Sequence, residues 1–281
     1  MIEYDTVIIS GGASKGIAAL GVLQAASDRQ MLNNVKRYIG TSIGSIISYL
    51  ICIEYTPIEL MINFYQSSVL EDLNIFDIGN IITGAGATKW SILQNFLEKL
   101  TLDKVGEFLT LKNIYERYNK ILVCCTYNKT KRCKEYLDYQ NNPDLPCLIA
   151  LRMSSNLPLL FDRFKYRNCY YIDGGIADHF PIHKVKDGEY TLAINLKNNY
   201  KNRLDGEFNI LEYIYDIICI PIEESVQNRK KMIENMSNKC TIVEIRISNT
   251  KIFNFNINNK DQLNLFSLGY QECKKSLENI I

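Results

Sequence analysis

Apolar runs of four to six residues alternate along this chain with stretches in which apolar positions recur every three or four residues. The first run, Asp5-Thr-Val-Ile-Ile-Ser10, is continuous and β-branched, which predicts a strand buried on both faces. It enters a glycine-rich turn, Gly11-Gly12-Ala13-Ser14-Lys15-Gly16, and a helical repeat over 17–31. Tyr38-Ile39 opens a second strand, and an amphipathic helix begins at Ile43. Further helices are predicted over 57–69, with Pro57 in the first turn, and over 91–100, 111–118 and 143–155. Strands are predicted over 121–127, 134–139 and 190–196, and a hairpin brings 164–166 and 169–172 together around Arg167-Asn168. A helix over 210–236 with a kink at Pro221, a strand over 241–248 and a closing helix over 261–280 complete the chain. Strands that alternate with helices imply an α/β fold whose sheet is mostly parallel and whose ligand site lies at the strand C-termini. No repeat or linker divides the chain, so residues 1–281 are expected to form one domain.

Within this pattern Gly40-Thr41-Ser42-Ile43-Gly44 stands between a strand and a helix, the context a nucleophile elbow requires. Ser42 would occupy a strained turn that lifts its hydroxyl clear of the fold. Gly40 and Gly44 would leave room where strand and helix close on each other. The positive end of the helix from Ile43 would favour negative charge beside the hydroxyl. The glycine turn at 11–16 follows a parallel strand and should emerge at the same sheet edge.

Composition narrows the partners. A net charge of +1 with acids and bases interleaved argues against nucleic acid as the main partner. Nine cysteines without a C-x-x-C pair suit a reducing cytoplasm better than a disulfide scaffold or a zinc site. The acidic start Met1-Ile-Glu-Tyr-Asp5 lacks a signal-peptide n-region, and no apolar run reaches the roughly 20 residues of a membrane span. The stretch 70–88, apolar and punctuated by Gly84-Ala85-Gly86, reads either as a surface loop with buried anchors or as a mobile lid able to touch lipid.

A serine nucleophile needs a base, usually histidine, and the chain has only His179 and His183. His179 lies six residues after Asp173, cramped for an Asp-His-Ser relay, and Pro181 rules out a helical zinc pair. Both histidines are therefore expected to be structural or surface residues, off the proton path.

Three ordered blocks carry a resemblance: Gly11-Gly-Ala-Ser-Lys-Gly16, Gly40-Thr-Ser-Ile-Gly44 and Asp173-Gly174-Gly175. With Arg152-Met-Ser-Ser-Asn-Leu-Pro-Leu-Leu-Phe161 ahead of the last block and Phe180-Pro-Ile182 after it, the chain resembles the patatin-like lipid acyl hydrolases over about 5–185. The resemblance implies a three-layer α/β/α fold and a Ser–Asp dyad, Ser42 as nucleophile and Asp173 as base. It also implies backbone donors from the turn carrying Gly11, Gly12, Lys15 and Gly16 for an oxyanion hole. Gly40, Gly44, Gly174 and Gly175 would support the two catalytic turns. It implies a lipid or phospholipid ester as substrate, peripheral membrane contact and no cofactor or metal, since no calcium-binding loop is visible. The chain departs from the family at Lys15, commonly arginine, at Asp178-His179, commonly asparagine, and at Asn156 and Leu159, commonly small; the last pair is expected to reshape the acyl pocket.

Two other readings fit part of the chain. A lipid-binding protein on the same fold would need no chemistry, but neither nucleophile nor base is missing. Val7–Ile17 also resembles the cofactor loop of short-chain dehydrogenases, with Tyr127…Lys131 or Tyr270…Lys274 as the Tyr-x-x-x-Lys pair. Ala18 stands where that loop wants glycine, and Ser42 and Asp173 would be left without a role.

Overall fold

The computed structural model describes residues 2–74, 79–80, 86–198, 210–234, 239–247 and 257–278. β1 (Thr6–Ile9) lies at the centre of one mixed sheet and pairs in parallel with β2 (Arg37–Thr41) and with β7 (Thr191–Asn198). β2 continues in parallel to β3 (Ile121–Asn128), and β7 to β8 (Cys240–Ile247). Only the β3 side turns antiparallel, through β4 (Cys133–Leu137) and the hairpin of β5 (Phe164–Tyr166) and β6 (Cys169–Asp173). Arg167 and Asn168 both have positive φ (43° and 65°), the geometry of a tight two-residue hairpin turn.

Alternation along the strands produces three layers. Val7, Ile9, Tyr38, Leu122, Cys124, Leu192 and Ile194 face one hydrophobic core, whereas Ile8, Ile39, Val123 and Ala193 face another. The larger core takes in α1 (Gly16–Ser27), α2 (Ile43–Cys52), α3 (Pro57–Gln66), α4 (Val69–Leu73), α5 (Trp90–Val105), α6 (Leu111–Tyr118), α7 (Cys147–Ser154) and the C-terminal α10 (Asn259–Glu278). The smaller core is closed by Phe180 and Ile182, which follow the one-turn α8 (Gly175–Asp178), and by Val226 of α9 (Ile210–Glu234). Both faces of the central strands are thereby covered, as their unbroken apolar sequence requires. The mostly parallel α/β/α architecture matches the sequence expectation.

Several bounds differ. α1 ends at Ser27, α3 at Gln66, and α7 starts only after Pro146, whose missing N–H suits a helix entrance. α5 runs on to Val105 and stops at Gly106, which has φ +80°. Pro221 lies inside α9. Of the stretch expected to be loop or lid, 75–78 and 81–85 lie outside the described residues. At its ends α4 buries Val69, Leu70 and Leu73, and the N–H groups of Ala87 and Thr88 donate to the carbonyls of Leu159 and Leu160 at 2.9 Å each. Among the described residues no helix is long and apolar enough to cross a membrane.

Candidate active site

Ser42 joins β2 to α2 with φ 56° and ψ −124°, a conformation that costs an L-residue about 1–3 kcal/mol. The close approach of strand and helix explains the flanking glycines: a Cβ on Gly40 would stand 2.3 Å from the Gly44 carbonyl carbon, and one on Gly44 2.3 Å from the Ile9 carbonyl oxygen. The Ser42 amide donates to Ser154 Oγ at 3.1 Å. Ser154 gives its single proton to the Cys125 carbonyl at 2.6 Å, so it must also accept from Ser45 Oγ, 2.7 Å away. The elbow is thus pinned from below by a hydroxyl on α7.

Sheet register delivers Asp173. Along β3, Cys124 and Cys125 pair with β2 on one edge and with β4 on the other. The next residue, Thr126, still pairs with β4 but has Asp173 opposite on its other edge. β6 therefore takes over the edge of β3 where β2 ends, and Asp173 arrives beside the residue after Thr41. Ser42 Oγ donates to Asp173 Oδ2 at 2.5 Å, and Gly175 N–H donates to Oδ1 at 2.6 Å. The Asn156 carbonyl accepts the Asp173 N–H at 2.9 Å. Gly174 lets the turn pass over β3, since a Cβ there would meet the Cys125 carbonyl oxygen at 2.2 Å. Asp173 is buried, which pushes its carboxyl up to about 6 against the opposing pull of the Ser42 hydroxyl and the Gly175 N–H.

The glycine-rich turn lies against this pair, but its amides are not all available. Gly11 N–H donates to the His179 carbonyl at 3.0 Å, and Lys15 N–H to Gly12 O at 3.0 Å. Gly16 N–H points back at the carbonyls of Ala13 and Ser14. In this structure the N–H groups of Gly11, Lys15 and Gly16 each have an acceptor. The amides of Gly12 and Ala13 have no acceptor among the described residues. Ala13, which no sequence pattern singled out, holds φ +49°. A non-glycine residue in the left-handed region was the signal that only the structure supplies.

Two cavities meet at Ser42. One is almost wholly apolar and runs between α1, α2, α3, α4 and α5, lined by Ile47, Phe64, Leu70, Leu73, Leu93 and Phe161 among others. The other is more polar and lies under α9, with Gly12, Lys15, Asp173, His179, Lys197 and Gln227 on its walls. Ser42, Ala13 and Leu157 border both.

The family model of patatin-like phospholipases matches residues 7–186. This chain belongs to that family. It is 32% identical over 182 residues to a probable lipid hydrolase of invertebrate iridescent virus 6, a match that covers 64% of this chain and 62% of that relative's length. It is 25% identical over 292 residues to an uncharacterized protein of Acanthamoeba polyphaga mimivirus, covering 99% of this chain and 95% of the relative. Among solved structures it resembles VipD from Legionella pneumophila (TM-score 0.64, 16% identity, 99% of this chain and 67% of that one). It also resembles the type III effector ExoU (TM-score 0.55, 12% identity, 98% of this chain and 53% of that one). At such identities the two structures speak for the fold.

The chain's departures from the usual patatin-like pattern fall around the site. Lys15 keeps the positive charge without the planar fork of arginine and is buried. Asn156 and Leu159 do not line the apolar cavity, contrary to expectation: Asn156 holds the end of β6, with its Nδ2 on the Tyr171 carbonyl at 2.8 Å, while Leu157, Leu160 and Phe161 of the same segment face the cavity. Asp178 is buried and accepts hydrogen bonds from Tyr136 on β4 and Arg229 on α9. Its carbonyl accepts from Thr41 Oγ1 at 3.0 Å, so one residue ties α9 to the strand that ends in the elbow. His183 packs on that cluster, 3.1 Å from the Tyr136 hydroxyl. His179 lines the more polar cavity. The dehydrogenase-type pair at Tyr270 and Lys274 sits on α10, with Tyr270 bonded to Asp28 at 2.9 Å, and neither it nor Tyr127 and Lys131 borders these cavities.

Proposed function

We propose that the chain hydrolyses carboxylic esters of lipids through an acyl-enzyme on Ser42. The observation that carries this reading is the 2.5 Å hydrogen bond from Ser42 Oγ to the buried Asp173 carboxylate where an apolar cavity meets a more polar one. The name of the iridescent virus relative, a probable lipid hydrolase, agrees with it. Asp173 takes the Ser42 proton as Oγ attacks the ester carbonyl, and burial makes this carboxylate a stronger base than one in water. The amides of Gly12 and Ala13, with the N-terminus of α2, receive the oxyanion; one such donor is typically worth about 3–4 kcal/mol. Asp173 then returns the proton to the leaving alcohol, and water repeats the sequence on the acyl-enzyme. The apolar cavity takes the acyl chain and the polar cavity the alcohol portion, which for a phospholipid carries the head group. A substrate of this kind implies transient contact with a lipid surface.

A fluorophosphonate probe tests the nucleophile directly. Wild-type protein should be labelled and should release fatty acid from phospholipid vesicles, while Ser42→Ala loses both. Undiminished labelling of folded Ser42→Ala would remove the assignment.

A further inference from the structure

His179 is the one imidazole bordering the dyad cavity among the described residues, and its surroundings fix how it can act. Its Nε2 lies 3.4 Å from the Leu196 carbonyl oxygen. A carbonyl can only accept, so in this contact Nε2 carries the proton and Nδ1 keeps its lone pair. No described residue hydrogen-bonds to Nδ1. Burial and, next, the charge of Lys15 push the imidazole down to about 4, so it stays neutral where esters are ordinarily cleaved.

Two glycines mark the space beside Nδ1. A Cβ on Gly11 would stand 3.0 Å from His179 Nδ1 and 3.6 Å from Ser42 Cβ. A Cβ on Gly175 would stand 3.6 Å from the same Nδ1 and 2.9 Å from Asp173 Oδ1. Side chains at these two positions would fill the space between the imidazole and each member of the dyad. With glycine at both, a gap remains that is bordered by the nucleophile, the base and a neutral acceptor. The His179 backbone is held by the Gly11 N–H on its carbonyl at 3.0 Å.

We propose that His179 Nδ1 accepts a hydrogen bond from the water that attacks the acyl-enzyme and thereby favours water over an alcohol as the acyl acceptor. The inference rests on Ser42 forming that acyl-enzyme. In deacylation the water oxygen bonds to the acyl carbon, one water proton passes to Asp173, the bond to Ser42 Oγ breaks, and Asp173 returns the proton to Oγ. The second water hydrogen stays on the water oxygen, becomes the O–H of the released acid, and points at Nδ1 throughout. His179 neither gains nor loses a proton. An alcohol has a single hydroxyl hydrogen, which Asp173 must take, so it has nothing to offer the imidazole. The discrimination follows from that difference alone.

Turnover of p-nitrophenyl butanoate in a fixed concentration of methanol tests it, with the ratio of methyl butanoate to butanoic acid as the readout. His179→Leu should raise that ratio by about tenfold, the value of one hydrogen bond. His179→Phe, which keeps a planar ring in the socket, should do the same and serves if the leucine variant fails to fold. His179→Asn, whose amide oxygen can stand near the place of Nδ1, should stay close to the wild-type ratio. An unchanged ratio in a folded His179→Leu or His179→Phe protein overturns the proposal even if total turnover falls, because a purely structural role slows both acceptors alike. Wild-type protein that forms neither product in a Ser42-dependent way would overturn the nucleophile assignment, and the role of His179 with it.

Discussion

Ser154 Oγ accepts the amide of Ser42 at 3.1 Å and donates to the Cys125 carbonyl at 2.6 Å, bracing the strained elbow against the strand beside it. Ser154 is buried, so no water replaces it once it is truncated. Ser154→Ala should lower kcat on a soluble ester by about tenfold or more and leave KM nearly unchanged. It should also cost about 1–3 kcal/mol in urea denaturation, since a buried amide and a buried carbonyl lose their partner. A full kcat in Ser154→Ala would show that the elbow holds its shape without the brace.

Asp173 sets the acid limb. Only the ionised carboxylate can take the Ser42 proton, and burial places its pKa at about 6, so kcat/KM should fall below pH 6 and not below 4. The same shift acts on stability. The folded-state value lies above the ordinary 3.8, so the stabilisation that the protonated carboxyl gives is fully present below pH 3.8 and is lost as pH rises through about 6. Asp173→Asn should therefore abolish turnover yet raise stability at pH 8 by on the order of 2 kcal/mol, a gain that fades below pH 4. Thermal melts at both pH values measure it; equal melting shifts at the two would contradict the buried-charge account.

The apolar cavity should select acyl length. Leu73 of α4 lines it together with Ile43 and Ile46 of α2. Leu73→Trp fills space at an overpacking cost of about 1–3 kcal/mol. Turnover of dodecanoyl esters should fall by at least about tenfold relative to butanoyl esters, because several methylenes worth about 0.8 kcal/mol each lose their place. A parallel loss on both esters would put the acyl chain elsewhere.

Asp178 fastens α9 to the catalytic edge, and its partners decide the cost of breaking the link. Arg229→Leu leaves the buried carboxylate with Tyr136 and His183 as its polar neighbours. It should destabilise the fold by about 3 kcal/mol. Asp178→Asn in the Arg229→Leu background should recover part of that loss. Additive losses in the double-mutant cycle would mean that the pair is not coupled.

Much of this protein was legible in the chain. The continuous β-branched run at 6–9 required burial on both faces, which a layered α/β sheet supplies. Gly40 and Gly44 around Ser42 announced a strand and a helix close to each other, and a Cβ at either would stand 2.3 Å from backbone. Local chemistry and short-range sterics fix such features, so they show in a few consecutive residues. Three things needed the tertiary structure. The contact between Ser42 and Asp173 depends on β6 replacing β2 along one edge of β3, a register set by pairing across 131 residues. Which turn amides remain available depends on the His179 carbonyl claiming Gly11, a competition between distant segments. The place of His179 itself follows from the chain doubling back after Asp173 so that its ring meets the first glycine turn. Residue types state what a site can do; which atoms still have a free valence for it is decided by the partners that folding brings.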